Sequence, residues 1–243
     1  MSNESLPRIK LTLDASTDPE AGSSAGPPSA REASSGEASG PSAHALTRLE
    51  QQLAFIQELD QLKQVQRKSF VSGTRRLENS AEHSWHVALM AVVLAEHAAE
   101  PGLDVARVVR MLLVHDVVEI DAGDTLLYAE EQAQQAQRER ERAAAERLFG
   151  LLPEAQGHAL RTLWEEFEAR ESPEAKFARA IDRLEPLLLN FMSEGAAWRR
   201  YGVVVEDVLE KNRLMAEGSP ALWRAAEHLV QTAVLRGYLK RQV

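Results

Sequence analysis

From residue 46 onward, apolar side chains recur every three or four residues, which is the spacing of one face of an α-helix. The first such series consists of Leu46, Leu49, Leu53, Ile56, Leu59 and Leu62. No run of alternating apolar and polar residues typical of a β-strand stands out after it, and glycine and proline cluster at the expected breaks between helices. The sequence therefore predicts one all-α domain, a helical bundle over residues 46–243 without an internal linker.

Capping residues indicate where several of these helices begin. Asn79, with Glu82 three residues later, forms the pattern of a capping box, and Gly150 closes a charged helix predicted over about 130–150. Another helix is predicted from about Asp104 to Val114. Further helix starts are predicted at Pro153, at Ser172-Pro173 and at Ser219-Pro220.

The first 45 residues have a different composition from the rest of the chain. Residues 15–45 are dominated by Ser, Ala, Gly and Pro and contain no Val, Ile, Leu, Met, Phe, Trp or Tyr. Such a segment cannot bury enough apolar surface to offset the entropy lost on ordering. We therefore expect residues 1–45 to form a disordered tail.

The remaining composition excludes several classes of function. The chain has no cysteine, so disulfides, cysteine-ligated zinc, iron–sulfur clusters and thiol catalysis are ruled out. A net charge of −9 argues against a general nucleic-acid binder. We find no apolar run of the ~18–20 residues that a membrane span needs, and no secretory signal pattern. The expectation is a cytoplasmic protein that binds neither nucleic acid nor membrane.

The segment His115-Asp116-Val117-Val118-Glu119 lies in the apolar context MLLVHDVVEI. Two buried carboxylates and an imidazole in one patch are easiest to explain around a cation, because an unpaired buried carboxylate costs several kcal/mol. Glu119, one turn away, can then act as a general base. From this segment alone, a metal site and a core His–Asp hydrogen bond remain equally open.

Other charged residues lie in helical or basic segments and are ambiguous singly. His83 and Asp182 each fall on the apolar side of a predicted helix. His83 could be a ligand or a satisfied structural residue, and Asp182 could be a ligand or an exposed acid paired with Arg179 or Arg183. Residues 61–77 contain five basic side chains and no acid. These side chains could bind a phosphate group, or the segment could be a solvent-exposed basic loop. These basic residues are Lys63, Arg67, Lys68, Arg75 and Arg76.

In chain order, these residues read His83, His115-Asp116 and Asp182, with spacings of 32 and 66 residues. Together with the flanking segments 62–67, 76–84, 119–124 and 180–182, the set resembles the HD-domain superfamily of metal-dependent phosphohydrolases. The likeness is closest to the 5′-deoxynucleotidase (HD domain-containing protein 2) branch. The resemblance implies an all-α bundle that holds one divalent metal ion per chain on His83, His115, Asp116 and Asp182. The N/O donor set suits Mn²⁺, Co²⁺, Fe²⁺ or Zn²⁺, with Mg²⁺ a further candidate.

The resemblance also implies roles for the remaining site residues. Glu119 corresponds to the acid that activates the attacking water, and Asp124 to a second acid near the sugar or leaving group. Arg67 corresponds to an arginine that holds the phosphate, and Lys68 and Arg76 are taken as further substrate-binding candidates. Lys68 stands where close relatives carry tryptophan.

The implied function is release of phosphate from (deoxy)nucleoside 5′-monophosphates, by a protein that is a homodimer in close relatives. Two alternatives stay open. One is a phosphodiesterase or pyrophosphohydrolase acting on a nucleotide second messenger. The other is a catalytically idle HD fold that binds nucleotide.

Overall fold

A computed structural model describes residues 43–128 and 131–242, which are mostly helical and confirm the predicted all-α class. The predicted disordered tail lies almost wholly outside the described residues. The first helix begins at Ala43, three residues before the predicted boundary at Leu46. No helix within the described ranges is long and apolar enough to cross a bilayer.

The helices follow one another closely along the chain. They are α1 (Ala43–Leu59), α2 (Ser80–Leu94), α3 (Val105–Val114), α4 (Glu119–Ala122), α5 (Glu131–Phe149), α6 (Glu154–Ala169), α7 (Pro173–Met192), α8 (Ala196–Tyr201), α9 (Val205–Asn212), α10 (Met215–Gly218) and α11 (Pro220–Leu235). Two 3-10 turns, Asp60–Gln64 and Ala95–His97, follow α1 and α2.

The predicted helix starts at Asn79, Ser172 and Ser219 are confirmed by their capping hydrogen bonds. Asn79 accepts from the Glu82 N–H at 2.9 Å, and the Glu82 carboxylate accepts from the Asn79 N–H at 3.2 Å. This completes the capping box at the start of α2. The hydroxyl groups of Ser172 and Ser219 accept from the third residue on, at the starts of α7 and α11.

A short antiparallel hairpin precedes α2, and the expectation of no strand was wrong here. β1 (Gln66–Phe70) pairs with β2 (Leu77–Asn79), with Gln66 opposite Asn79. β1 reads QRKSF and buries only Ser69, so it lacks the apolar alternation by which strands are recognised. The hairpin is held by its turn and by packing against α7 and α8, and it places Arg67 and Lys68 beside the bundle.

The helix α7 forms the centre of the bundle and contacts α2, α3, α6, α10 and α11. Its apolar face is buried, with Phe177 and Ile181 fully inaccessible to solvent. Gly218 allows α10 to pack closely against α7, because a Cβ atom at this position would lie only 2.1 Å from the carbonyl oxygen of Lys176 in α7. This central position brings Asp182, in the middle of α7, against the facing ends of α2 and α3.

Candidate metal centre and substrate cavity

Three predicted ligands converge from three different helices. His83 lies in the first turn of α2, His115 caps the C-terminus of α3, and Asp182 lies on α7. The His83 Nε2 atom is 3.1 Å from Asp182 Oδ1, and His115 Nε2 is 3.5 Å from the same oxygen. One ligand atom from each of the three residues lies within 4.8 Å of the others. This is the compact arrangement that a single cation requires.

The fourth predicted ligand, Asp116, lies beside this group. Its Oδ1 atom is 3.1 Å from His115 Nε2, and its Oδ2 atom is 3.9 Å from His83 Nε2. Arg67, delivered by β1, donates from Nη1 to Asp116 Oδ2 at 2.6 Å. All four predicted ligands are at most 9% exposed.

The donor atoms fit a divalent cation. The His115 Nδ1–H donates to the Leu112 carbonyl at 2.9 Å, so its Nε2 lone pair faces the carboxylates. That Nε2 atom is buried and has no hydrogen-bond partner among the described residues. Two imidazole nitrogens and two carboxylates form a sulfur-free set that suits a transition metal ion better than Ca²⁺.

The electrostatics of the cluster are dominated by its carboxylates. Burial and the charge of Arg67 act to lower the pKa of His83, yet hydrogen bonds with Asp182 and Glu185 raise it to about 10. Burial acts to raise the pKa of Asp182, but the neighbouring imidazoles of His115 and His83 hold it well below its usual range. Negative charge therefore surrounds the two imidazoles, as a cation site needs.

Glu119 begins α4 and faces the same centre. It is 7% exposed, and its Oε2 atom accepts a hydrogen bond from Ser80 Oγ at 2.5 Å. Burial and the nearby Asp116 raise its pKa well above the usual range, against the opposing effects of Arg67 and Ser80. A buried carboxyl group with a raised pKa is suited to taking up a proton.

The three predicted substrate-binding residues do not all reach the site. Arg67 contacts Asp116, and Lys68 Nζ is 3.6 Å from Asp124 Oδ2. Arg76 instead donates to both carboxylate oxygens of Glu82, at 2.8 and 3.0 Å. Its guanidinium lies on the exposed surface and is not among the described residues that line the cavity below.

Sequence reasoning missed two buried carboxylates behind His83. Glu185, three residues after Asp182, is fully buried, with Oε2 3.3 Å from His83 Nδ1 and Oε1 3.0 Å from His86 Nδ1. Glu78 Oε2 lies 3.5 Å from Arg67 Nε, and burial and Glu185 raise its pKa to about 8. Glu185 can therefore orient the His83 ring through Nδ1, which leaves Nε2 to face the centre. A charged residue in the apolar run AIDRLEPLLL was the available signal.

The centre forms one wall of a cavity of about 680 Å³. Arg67, Lys68 and Asp124 line it beside the centre, and three arginines line it further along α6 and α7. This volume is in the range of small-molecule sites.

Comparison with known proteins agrees with this geometry. A model of the HD domain family matches residues 59–223. A solved structure from Magnetospirillum magnetotacticum, described as a "predicted metal-dependent phosphohydrolase", is 48% identical. It superposes with a TM-score of 0.76 over 80% of this chain and 96% of its own.

Two curated proteins, the 5′-deoxynucleotidases HDDC2 of Homo sapiens and Bos taurus, are each 35% identical over 137 residues. The match covers 56% of this chain in both cases, and 65% and 64% of the relatives' own length. It therefore spans just under two thirds of those proteins. The family match over residues 59–223 covers well over half of the sequence, and the chain therefore belongs to the HD domain family.

Proposed function

We propose that this protein is a metal-dependent hydrolase that releases phosphate from (deoxy)nucleoside 5′-monophosphates. The observation that carries the proposal is the convergence of His83, His115, Asp116 and Asp182 beside Glu119, on the wall of a cavity that also presents basic side chains. The names of the Magnetospirillum and HDDC2 relatives support the same reaction class.

His83, His115, Asp116 and Asp182 would hold the divalent ion, which supplies Lewis acidity toward water and the phosphoryl group when it is bound. Glu119 takes a proton from the attacking water as the new oxygen–phosphorus bond forms. The bond between phosphorus and the 5′-oxygen breaks, and the leaving oxygen takes up a proton from solvent while Glu119 returns its own proton to solvent, so the products are a nucleoside and phosphate.

The basic and acidic side chains near Glu119 serve the phosphoryl group and the leaving group. Arg67 is oriented by Asp116 and is placed to neutralise charge that develops on the phosphoryl oxygens. Asp124, held near Lys68, is placed to contact the sugar or position the leaving oxygen. The position of these side chains on the cavity wall supports both assignments.

The direct test is phosphate release from a panel of deoxy- and ribonucleoside 5′-monophosphates. The chain is treated with EDTA, and Mn²⁺, Co²⁺, Zn²⁺ or Mg²⁺ is added back. We expect metal-restored release that Asp116→Ala abolishes. If an ion binds but no monophosphate is hydrolysed, the substrate class is wrong and a diester or pyrophosphate takes its place. If no ion binds, the chain is an idle HD fold.

Several further assignments are proposals of the same kind. We infer a domain over residues 46–243 with a tail over 1–45, Mn²⁺, Co²⁺, Fe²⁺ or Zn²⁺ as the metal, and a cytoplasmic homodimer. An exposed apolar stripe on α2 supports self-association, because contiguous patches of this kind are common at interfaces. The stripe consists of Trp85, Leu89, Val92 and Val93, each 48 to 65% exposed.

A further inference from the structure

Three arginines line the cavity next to the metal centre: Arg170, Arg179 and Arg183. Arg179 and Arg183 lie four residues apart on α7, so they share a helix face, and Arg170 caps the C-terminus of α6. The Nε atoms of Arg170 and Arg179 are buried and have no hydrogen-bond partner among the described residues. The chain thus presents guanidinium donors to the cavity in a protein whose net charge is −9.

The positive charge of this arginine cluster is poorly compensated. Arg179 Nη1 lies 3.4 Å from Asp182 Oδ2, whereas Arg170 and Arg183 form no ion pair within 4.0 Å in the part of the chain that the structure describes. Arg179 lowers the pKa of Arg170, against a weaker opposing effect of Glu168.

The two site residues already assigned to phosphate are on another part of the wall. Arg67 and Lys68 come from β1 and contact Asp116 and Asp124. The arginine cluster comes from the C-terminal cap of α6 and from α7, and Arg179 approaches the centre at Asp182. Asp182 Oδ1 faces the two histidines, and Asp182 Oδ2 faces Arg179. The cavity therefore carries a second set of cationic side chains besides Arg67 and Lys68.

We propose that Arg170, Arg179 and Arg183 form an anion subsite that binds a second phosphate group of the substrate. This inference rests on the proposed function and extends its substrates from nucleoside 5′-monophosphates to nucleotides that carry a second phosphate group. A guanidinium presents paired N–H donors that match phosphate oxygens. A phosphate group carries a charge of about −1.5 to −2 at neutral pH. It therefore neutralises three clustered guanidinium groups better than a carboxylate, which carries one negative charge.

The test compares deoxyadenosine 5′-monophosphate with its 3′,5′-bisphosphate and its 5′-diphosphate, using the full-length, metal-loaded enzyme. We expect kcat/KM for at least one doubly phosphorylated compound to exceed that for the monophosphate roughly 10- to 100-fold. Arg183→Gln should reduce this ratio to about one. Arg224→Gln, an exposed arginine on α11 outside the cavity, should keep it. Equal kcat/KM for all three compounds in the wild type, or an unchanged ratio in Arg183→Gln, overturns the subsite.

Binding measurements separate failure of the subsite from failure of the proposed function. Calorimetric titration of the same three nucleotides should show tighter binding of a doubly phosphorylated one, and Arg183→Gln should remove the difference. This result without phosphate release overturns the hydrolase and leaves the subsite standing. Should Arg183→Gln fail to fold, Arg170→Gln on α6 provides the same comparison. If neither variant changes the binding difference, the subsite is wrong.

Discussion

Glu119 is the residue whose surroundings bear most directly on chemistry. The hydrogen bond from Ser80 fixes the orientation of its carboxyl group, and burial and the nearby Asp116 raise its pKa. Ser80 lies at the first position of α2 and Glu119 at the first position of α4, so both ends of this hydrogen bond sit on helix starts. A base held in this way needs little rearrangement to accept a proton.

Glu119→Gln should lower kcat by roughly 10²- to 10⁴-fold, because the amide cannot take up the proton yet keeps the shape of the side chain. Metal content should stay at the wild-type level, since Glu119 is not a predicted ligand. Phosphate release and elemental analysis measure the two effects. Glu154→Gln, exposed on α6, serves as the control. A kcat close to that of the wild type would show that another group is the base.

The structure brings the predicted residues of the centre together but separates the predicted basic residues. Singly, His83 and Asp182 were ambiguous in their apolar helices, and the ordered resemblance to the HD-domain pattern grouped them with His115. Arg76 was not predictable in the same way, since Arg67 and Arg76 belong to one basic run. Only the hairpin shows that Arg67 reaches Asp116 while Arg76 binds Glu82.

At the scale of elements, Glu166 joins three helices. It lies on α6 and accepts hydrogen bonds from the Arg107 guanidinium of α3 and from Ser172 Oγ, the cap of α7, at 2.6 Å. Burial acts to raise the pKa of Glu166, but the bonds from Arg107 and Ser172 lower it below its ordinary value. The junction holds α7, and therefore Asp182, against α3.

Glu166→Gln should reduce the free energy of unfolding by about 1–2 kcal/mol near neutral pH. Because the folded pKa lies below the unfolded one, this contribution is present above pH 4.5 and is lost as the pH falls further. Urea unfolding at pH 7 and at lower pH values measures the free energy of unfolding. The difference in this free energy between Glu166→Gln and the wild type should decrease as the pH falls. Glu165→Gln, the exposed neighbour on α6, should show little difference at any pH. A pH-independent difference for Glu166→Gln would contradict the assignment.

The elements differ in how far local sequence determines them. The starts of α2, α7 and α11 follow from short-range capping chemistry, which is why they were predicted. The hairpin was missed because its strands are stabilised by contacts with α7 and α8, which are more than a hundred residues away in sequence. These contacts form only when the chain folds, and they require no alternation of apolar and polar residues in β1.

At the scale of the whole molecule, the predicted ligands connect α2, α3 and α7 at the centre of the bundle. A ligand that binds only the folded state stabilises it in proportion to the logarithm of its concentration. The centre should therefore contribute to global stability and not only to catalysis. The all-α class and the family were predictable at this scale, whereas the pairing of α6 and α7 arginines in one cavity depends on how the helices pack.

Adding a binding metal at about 100 times its Kd should raise Tm by roughly 5–10 °C relative to the EDTA-treated chain. Asp182→Asn should abolish most of this rise, because it removes the carboxylate shared by both histidines. Differential scanning calorimetry with Mn²⁺, Co²⁺, Zn²⁺ and EDTA measures it. An identical Tm with EDTA and with every metal would mean that the cluster holds no ion.

The arrangement of α7 also has a consequence for protein engineering. Asp182 and its two arginine neighbours, Arg179 and Arg183, occupy one stretch of a rigid central helix. A combinatorial library at positions 170 and 183 would vary the arginine side chains of the cavity wall while keeping Asp182 and its contact with Arg179. We expect that changing a few codons would alter substrate selectivity, without redesign of the loops that usually determine it.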